Sequence, residues 1–169
     1  MVTKSRLTLV DATFALLTAA ATDATELGAL LGTSVADDWS GFPEALPILR
    51  DAYREQPPAQ RWGSLFFIEP NARVLVGFGG FKGPPSPDSI VEIGYAIAPA
   101  FRGQGLATAA VEQMVRRAFD EPAIRAVDAH TLGEVNASTR VLEKSLFKKV
   151  AEFVDPNDGP VWQWRRERA

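Results

Sequence analysis

Arg102, Gly103, Gln104, Gly105, Leu106 and Ala107 stand where a run rich in Ile and Val, ending at Pro99, passes through two glycines directly into a segment of helical spacing. The first N–H groups of a helix have no internal partners, and the helix dipole adds about half a positive charge there, so successive amides at such a turn can hold a pyrophosphate. Gly103 and Gly105 let a phosphate approach the backbone, Ala107 keeps the first helical turn thin, and Arg102 can add a charge-assisted hydrogen bond. Neither a Walker pattern nor a dinucleotide fingerprint fits, because no lysine follows the glycines and a meander of strands precedes them.

Two further groups can do chemistry. Glu92 lies on the strand leading into the turn, and a carboxylate half-buried there is a candidate base; the alternative is a solvent-facing or strand-paired acid. His130, on a later strand with Asp128 on the same face by alternation, is either a second candidate base or a plain hydrogen-bonded strand residue. Asp37, Asp38, Trp39, Phe42 and Glu44 mix acids with aromatics and suit a cationic amine; the plainer reading is a solvated acidic loop over a core tryptophan. Substrate binding is assigned to Asp38, Trp39 and Phe42.

The elements that must position these groups are legible from periodicity. Residues 6–10 alternate like a strand, Asp11 reads as the acidic cap of a helix starting at Ala12, and 24–31 is a second helix. A third is expected from Pro43 to about Gln56, ended by Pro57 and Pro58. Segments 62–69, 73–81 and 89–98 are β-type and form an antiparallel meander, with turns at Asn71-Ala72 and in the proline-rich loop 83–88 that flanks the acceptor side. The helix beginning near Gly103 puts Leu106, Ala110, Val111, Met114, Val115 and Ala118 on one face. A strand at 124–131, a helix at 137–146 and a closing strand pair, 150–154 with 161–164, complete an α/β (α+β) chain with a mixed sheet, in which Trp62, Trp162 and Trp164 pack the strands.

Composition narrows the field. A length of 169 residues predicts one domain spanning 1–169, and a formal charge of −3 gives no basic footprint for nucleic acid. The absence of cysteine excludes disulfides and thiolate chemistry, and a single histidine excludes multi-histidine metal sites, so no metal is expected. No long apolar run is present, and the expectation is a cytoplasmic protein without membrane partners.

Arg102-x-x-Gly105-x-Ala107 resembles the pyrophosphate signature of the GCN5-related N-acetyltransferases, the GNAT family. The stretch from Asn136 to Phe147 resembles the later helix of the RimJ/RimL-type branch, which acetylates ribosomal-protein N-termini, and residues 6–13 resemble that branch's opening strand. The likeness spans almost the whole chain. It implies a six- to seven-stranded, mostly antiparallel sheet flanked by helices, with a splayed central strand pair, and acetyl-CoA as donor substrate. The backbone at Tyr95, Ala96 and Ile97 would pair with pantetheine, the amides from Arg102 to Ala107 would hold the pyrophosphate, and Asn136 would contact the donor from the second arm, a role compatible with its equal reading as a plain cap of the helix at 137. The implied reaction is direct transfer to a primary amine, on a peptide or a small molecule, once Glu92, His130 or a water relay has removed a proton. Two positions depart from the family pattern: Leu146 replaces the glycine usual before the phenylalanine, and the family's tyrosine is absent, its place falling at Leu142 or Glu143. These departures frame the alternative, a catalytically silent CoA-binding sensor or interaction domain. A homodimer through the C-terminal strands is the remaining partner expectation.

Overall fold

A computed structural model of the chain describes residues 7–58 and 61–169. The Val-, Ile- and Phe-rich stretches form the expected meander: β3 (Ser64–Glu69), β4 (Val74–Phe81) and β5 (Ile90–Ile97) pair antiparallel in succession. β1 (Thr8–Asp11) pairs on the outer side of β3; the Arg6 start expected for this strand lies outside the described residues. β6 (Ala126–Leu132) pairs parallel to β5, which requires a crossover, and α4 (Leu106–Phe119) supplies it. β7 (Lys148–Asp155) and β8 (Gly159–Glu167) form the closing hairpin, giving the order β1-β3-β4-β5-β6-β8-β7. A two-residue strand, β2 (Ser34–Val35), adds to β4 in parallel and brings the sheet to eight strands. That exceeds the expected six to seven because two residues are too few to leave a periodic signal.

Helices cover the sheet unequally. On one face α4 buries the six residues assigned to its apolar side, together with Leu142 of α5 (Ala137–Lys144) and Trp164 of β8. On the other, α1 (Phe14–Thr22), α2 (Ala24–Leu31) and α3 (Leu46–Glu55) pack Leu17, Leu27 and Leu46 against Phe66, Leu75 and Phe78. That second core holds no residue of β6, β7 or β8.

Three local expectations change. Asp11 ends β1 and pairs with Arg117 at 2.6 Å; Thr13 is the true cap of α1, its hydroxyl accepting from the Leu16 N–H at 3.1 Å. Asp11 is still held in the sheet by its ladder to Leu65, so its backbone cannot open the helix. Pro43 begins a 3-10 turn, Pro43–Ala45, and α3 follows from Leu46. Trp39, read either as a substrate contact or as a core tryptophan beneath a solvated loop, is the latter: it is only 8% exposed and packs between Phe66 and Phe78 at 5.7 Å from each ring. Aromatic burial wins over solvent exposure here, leaving Asp38 and Phe42 as the exposed members of that group.

Candidate active site

The two central parallel strands pair for only part of their length. Ladder partners run from Ile90 with Ala126 to Ile93 with Ala129 and then stop. Beyond that point Gly94 to Ile97 remain on β4, and His130 to Leu132 remain on β8, so the strands part. Lys82 N–H donates to the Glu92 carbonyl and Ala98 N–H to the Val76 carbonyl, which fixes the alternation along β5: even-numbered residues bond to β4. Tyr95 and Ile97 therefore turn their peptide groups into the gap. Ala96, expected to share that role, spends its peptide groups on Phe78 and presents its Cβ to the opposite face.

On the α4 and α5 side the Tyr95 hydroxyl donates to the Ser138 carbonyl at 3.3 Å, tying β5 to the first turn of α5. Burial pushes the Tyr95 phenol up to about 12.

The gap leads to the glycine turn. A 3-10 turn, Pro99–Phe101, closes β5, and Arg102 folds back so that its Nε donates to the Ile97 carbonyl at 3.2 Å. Gly103 and Gly105 both adopt left-handed backbone, with φ of 75° and 77°. Gly105 is the N-cap of α4 and offers no side chain to its first amides, which leaves them for an incoming anion. A cavity of about 290 Å³ lies against this turn, with Arg102, Gly103, Gly105, Leu106 and Ala107 on one side and Ala137, Arg140, Val141 and Lys144 of α5 on the other. It has three cationic side chains and no acid in its lining. Arg140 and Lys144 escaped the sequence reading, although their spacing places them on one helical face, one turn apart. Neither side chain has a partner among the described residues.

Asn136, expected to touch the donor and equally readable as a cap, caps α5. Its Oδ1 accepts from Thr139 N–H at 3.0 Å while Thr139 Oγ1 accepts from Asn136 N–H at 2.9 Å, a reciprocal capping box. At the far end of α5, Leu146 has a φ of 66°, a conformation suited to glycine. This explains why a glycine is usual there. The place of the missing tyrosine holds the fully buried Leu142 and the exposed Glu143.

Glu92 and His130, read as alternative bases, are brought together: His130 Nδ1 lies 2.7 Å from Glu92 Oε1. Lys82 Nζ reaches the same oxygen at 3.1 Å, a third member that its turn-flanking position concealed. Directly across from Glu92 on β6, Asp128 takes bonds from Arg165 at 2.7 and 2.9 Å and from Gln163 at 2.8 Å. These polar groups occupy the face of β5, β6 and β8 that no apolar core covers, since Val127, Ala129 and Trp164 turn to the other side. The loop carrying Asp38 and Phe42 meets this face at its edge: a Cβ on Gly41 would stand 2.6 Å from that of Ala96. A larger cavity of about 710 Å³, lined by Asp11, Tyr53, Arg61, Arg116 and Arg117 among others, lies at the opposite end of α4 from the glycine turn.

A parted parallel strand pair leading to a glycine-capped helix defines an acyl-CoA transferase site, and residues 13–148 match the model of the acetyltransferase (GNAT) domain. The chain belongs to the GNAT acetyltransferase family, as an acetyl-CoA-dependent N-acetyltransferase acting on an amine. An uncharacterised N-acetyltransferase, YjdG, of Bacillus subtilis (strain 168) is 26% identical over 128 residues, covering 73% of this chain and 76% of that protein. Among solved structures, the aminoglycoside acetyltransferase AAC(6')-Ib in complex with coenzyme A has a TM-score of 0.69 at 18% identity, covering 96% of this chain and 95% of its own. A mutant of the spermidine N-acetyltransferase SpeG from Vibrio cholerae has a TM-score of 0.70 at 15% identity, with 96% and 94% covered. At these identities the two structures share the fold with this chain.

Proposed function

We propose that the acceptor is a primary α-amine at the N-terminus of a peptide or protein, as in the RimJ/RimL-type branch. The observation that carries this reading is the uncovered half of the sheet beside the strand gap. It offers an extended acceptor a face bounded by β4 and β7, whereas a small amine needs an enclosing pocket. The acids of the 37–38 loop, which borders Ala96, would attract the ammonium.

In this reading the peptide groups of Tyr95 and Ile97 bind the donor's pantetheine arm as an added strand, and the amides of the glycine turn, with Arg102, Arg140 and Lys144, take its phosphates. The base belongs to the Glu92–His130 pair. The amine nitrogen forms its bond to the thioester carbonyl carbon, the C–S bond breaks, and CoA leaves as the thiol after taking a proton. Pairing of two copies along the exposed edge strand β7, which carries Val150, Phe153 and Val154, is the homodimer this sheet admits.

The test is calorimetric titration with acetyl-CoA followed by thiol release over a panel of N-terminal peptides, polyamines and aminoglycosides. Release with peptides is expected. Release with polyamines or aminoglycosides alone would reject the peptide acceptor, and binding without release over the whole panel would favour the sensor alternative. Gly105→Trp should abolish donor binding, because a side chain at the cap fills the phosphate approach.

A further inference from the structure

Oε1 of Glu92 receives both its neighbours, Lys82 Nζ at 3.1 Å and His130 Nδ1 at 2.7 Å. An ionised carboxylate only accepts hydrogen bonds, so the imidazole must donate through Nδ1–H. In the neutral ring the lone pair then sits on Nε2, the nitrogen turned away from Glu92. His130 is the first residue of β6 beyond the last ladder pair, at Ala129, and so stands at the vertex where the strands part. The Phe153 ring of β7 meets the imidazole edge-on at 5.6 Å and limits its rotation. The other charges on this face are already matched: Asp128 of β6 is engaged by Arg165 and Gln163 of β8.

We propose that Lys82, Glu92 and His130 form one proton relay in which His130 Nε2 is the base and Glu92, steered by Lys82, is a positioning residue. The proposal rests on the acetyltransferase reading and assigns the base within it. The incoming ammonium gives one proton to Nε2, and the freed nitrogen lone pair forms the C–N bond. As the C–S electron pair leaves with sulfur, the nitrogen's second proton goes to the thiolate, and the imidazolium returns its proton to water. One proton is released per acetyl transferred.

His130 is the only histidine in the chain, so its ring nitrogens give an unambiguous ¹⁵N NMR signature in the intact protein, whatever the acceptor. The neutral wild-type ring is expected to carry its proton on Nδ1. Glu92→Gln should erase that tautomer bias, because a carboxamide can donate as well as accept. Lys82→Met should weaken the same bias, because Glu92 Oε1 loses the cation that steers it. The three side chains are 27–56% exposed, so these substitutions leave the core intact. With an accepted amine, His130→Gln should lower kcat/KM roughly a hundredfold and remove the acid limb of its pH profile. Glu92→Gln should cost roughly tenfold, in kcat, by freeing the ring to present either nitrogen. A proton found on Nε2 in the wild type, or an acid limb surviving in His130→Gln at full rate, would overturn the relay. Absence of thiol release from the wild-type protein across the whole panel would instead sink the acceptor assignment, leaving the NMR result to decide the relay's geometry.

Discussion

The two halves of one sheet face do different work. Over β1, β3 and β4 three helices press Leu17, Leu27 and Leu46, with Trp39 of the preceding loop, onto Phe66 and Phe78, and the side chains there are apolar and buried. Over β5, β6 and β8 the same face carries Lys82, Glu92, Asp128, His130 and Arg165, and among the described residues no helix packs an apolar core on it. The covered half keeps the strands in register; the bare half can hold charges because water and ion pairs, rather than packed carbon, surround them.

The sharpest way to break this contrast is to swap its consequences. Trp39→Ala should destabilise the protein by about 3–5 kcal/mol in denaturant titrations, since the ring fills a core, while Glu92→Gln should leave the midpoint within about 0.5 kcal/mol. Equal costs would mean that the bare half is structural too. The next effect tests the strand gap between the halves. Tyr95 binds its proton more tightly folded, up to about 12 against a usual value of 10, so its contribution is complete below pH 10 and lost as pH rises to 12. Tyr95→Phe should therefore flatten the fall in stability over that window by roughly 1–2 kcal/mol. At the phosphate cavity, Arg140→Ala with Lys144→Ala should weaken CoA binding about tenfold and flatten its salt dependence, without moving the melting temperature. The smallest change is a gain: Leu146→Gly should stabilise by about 1 kcal/mol by relieving the left-handed leucine at the end of α5.

What could be read in advance follows the range over which each cause acts. The meander, the buried face of α4 and the glycine turn depend on neighbours within a few residues, and each emerged where spacing put it. The meeting of Glu92 with His130 depends on a parallel pairing between segments separated by a whole crossover helix, so both residues were visible and their partnership was not. Lys82 hid in a turn, and Trp39 revealed its aromatic character but not that two phenylalanines would enclose it. Asn136 was readable as a cap from its place before Ala137, while the reciprocal bond from Thr139 was not.

The parted strands also bear on how such a protein can drift. At Tyr95 and Ile97 the groups turned into the gap are peptide N–H and C=O, which every residue except proline provides in full. A bonding edge made of main chain places almost no demand on side-chain identity, so the hydrogen-bonding groups of the gap survive most substitutions along β5. That freedom ends at Gly103 and Gly105 of the turn, whose left-handed backbone strains any residue with a Cβ.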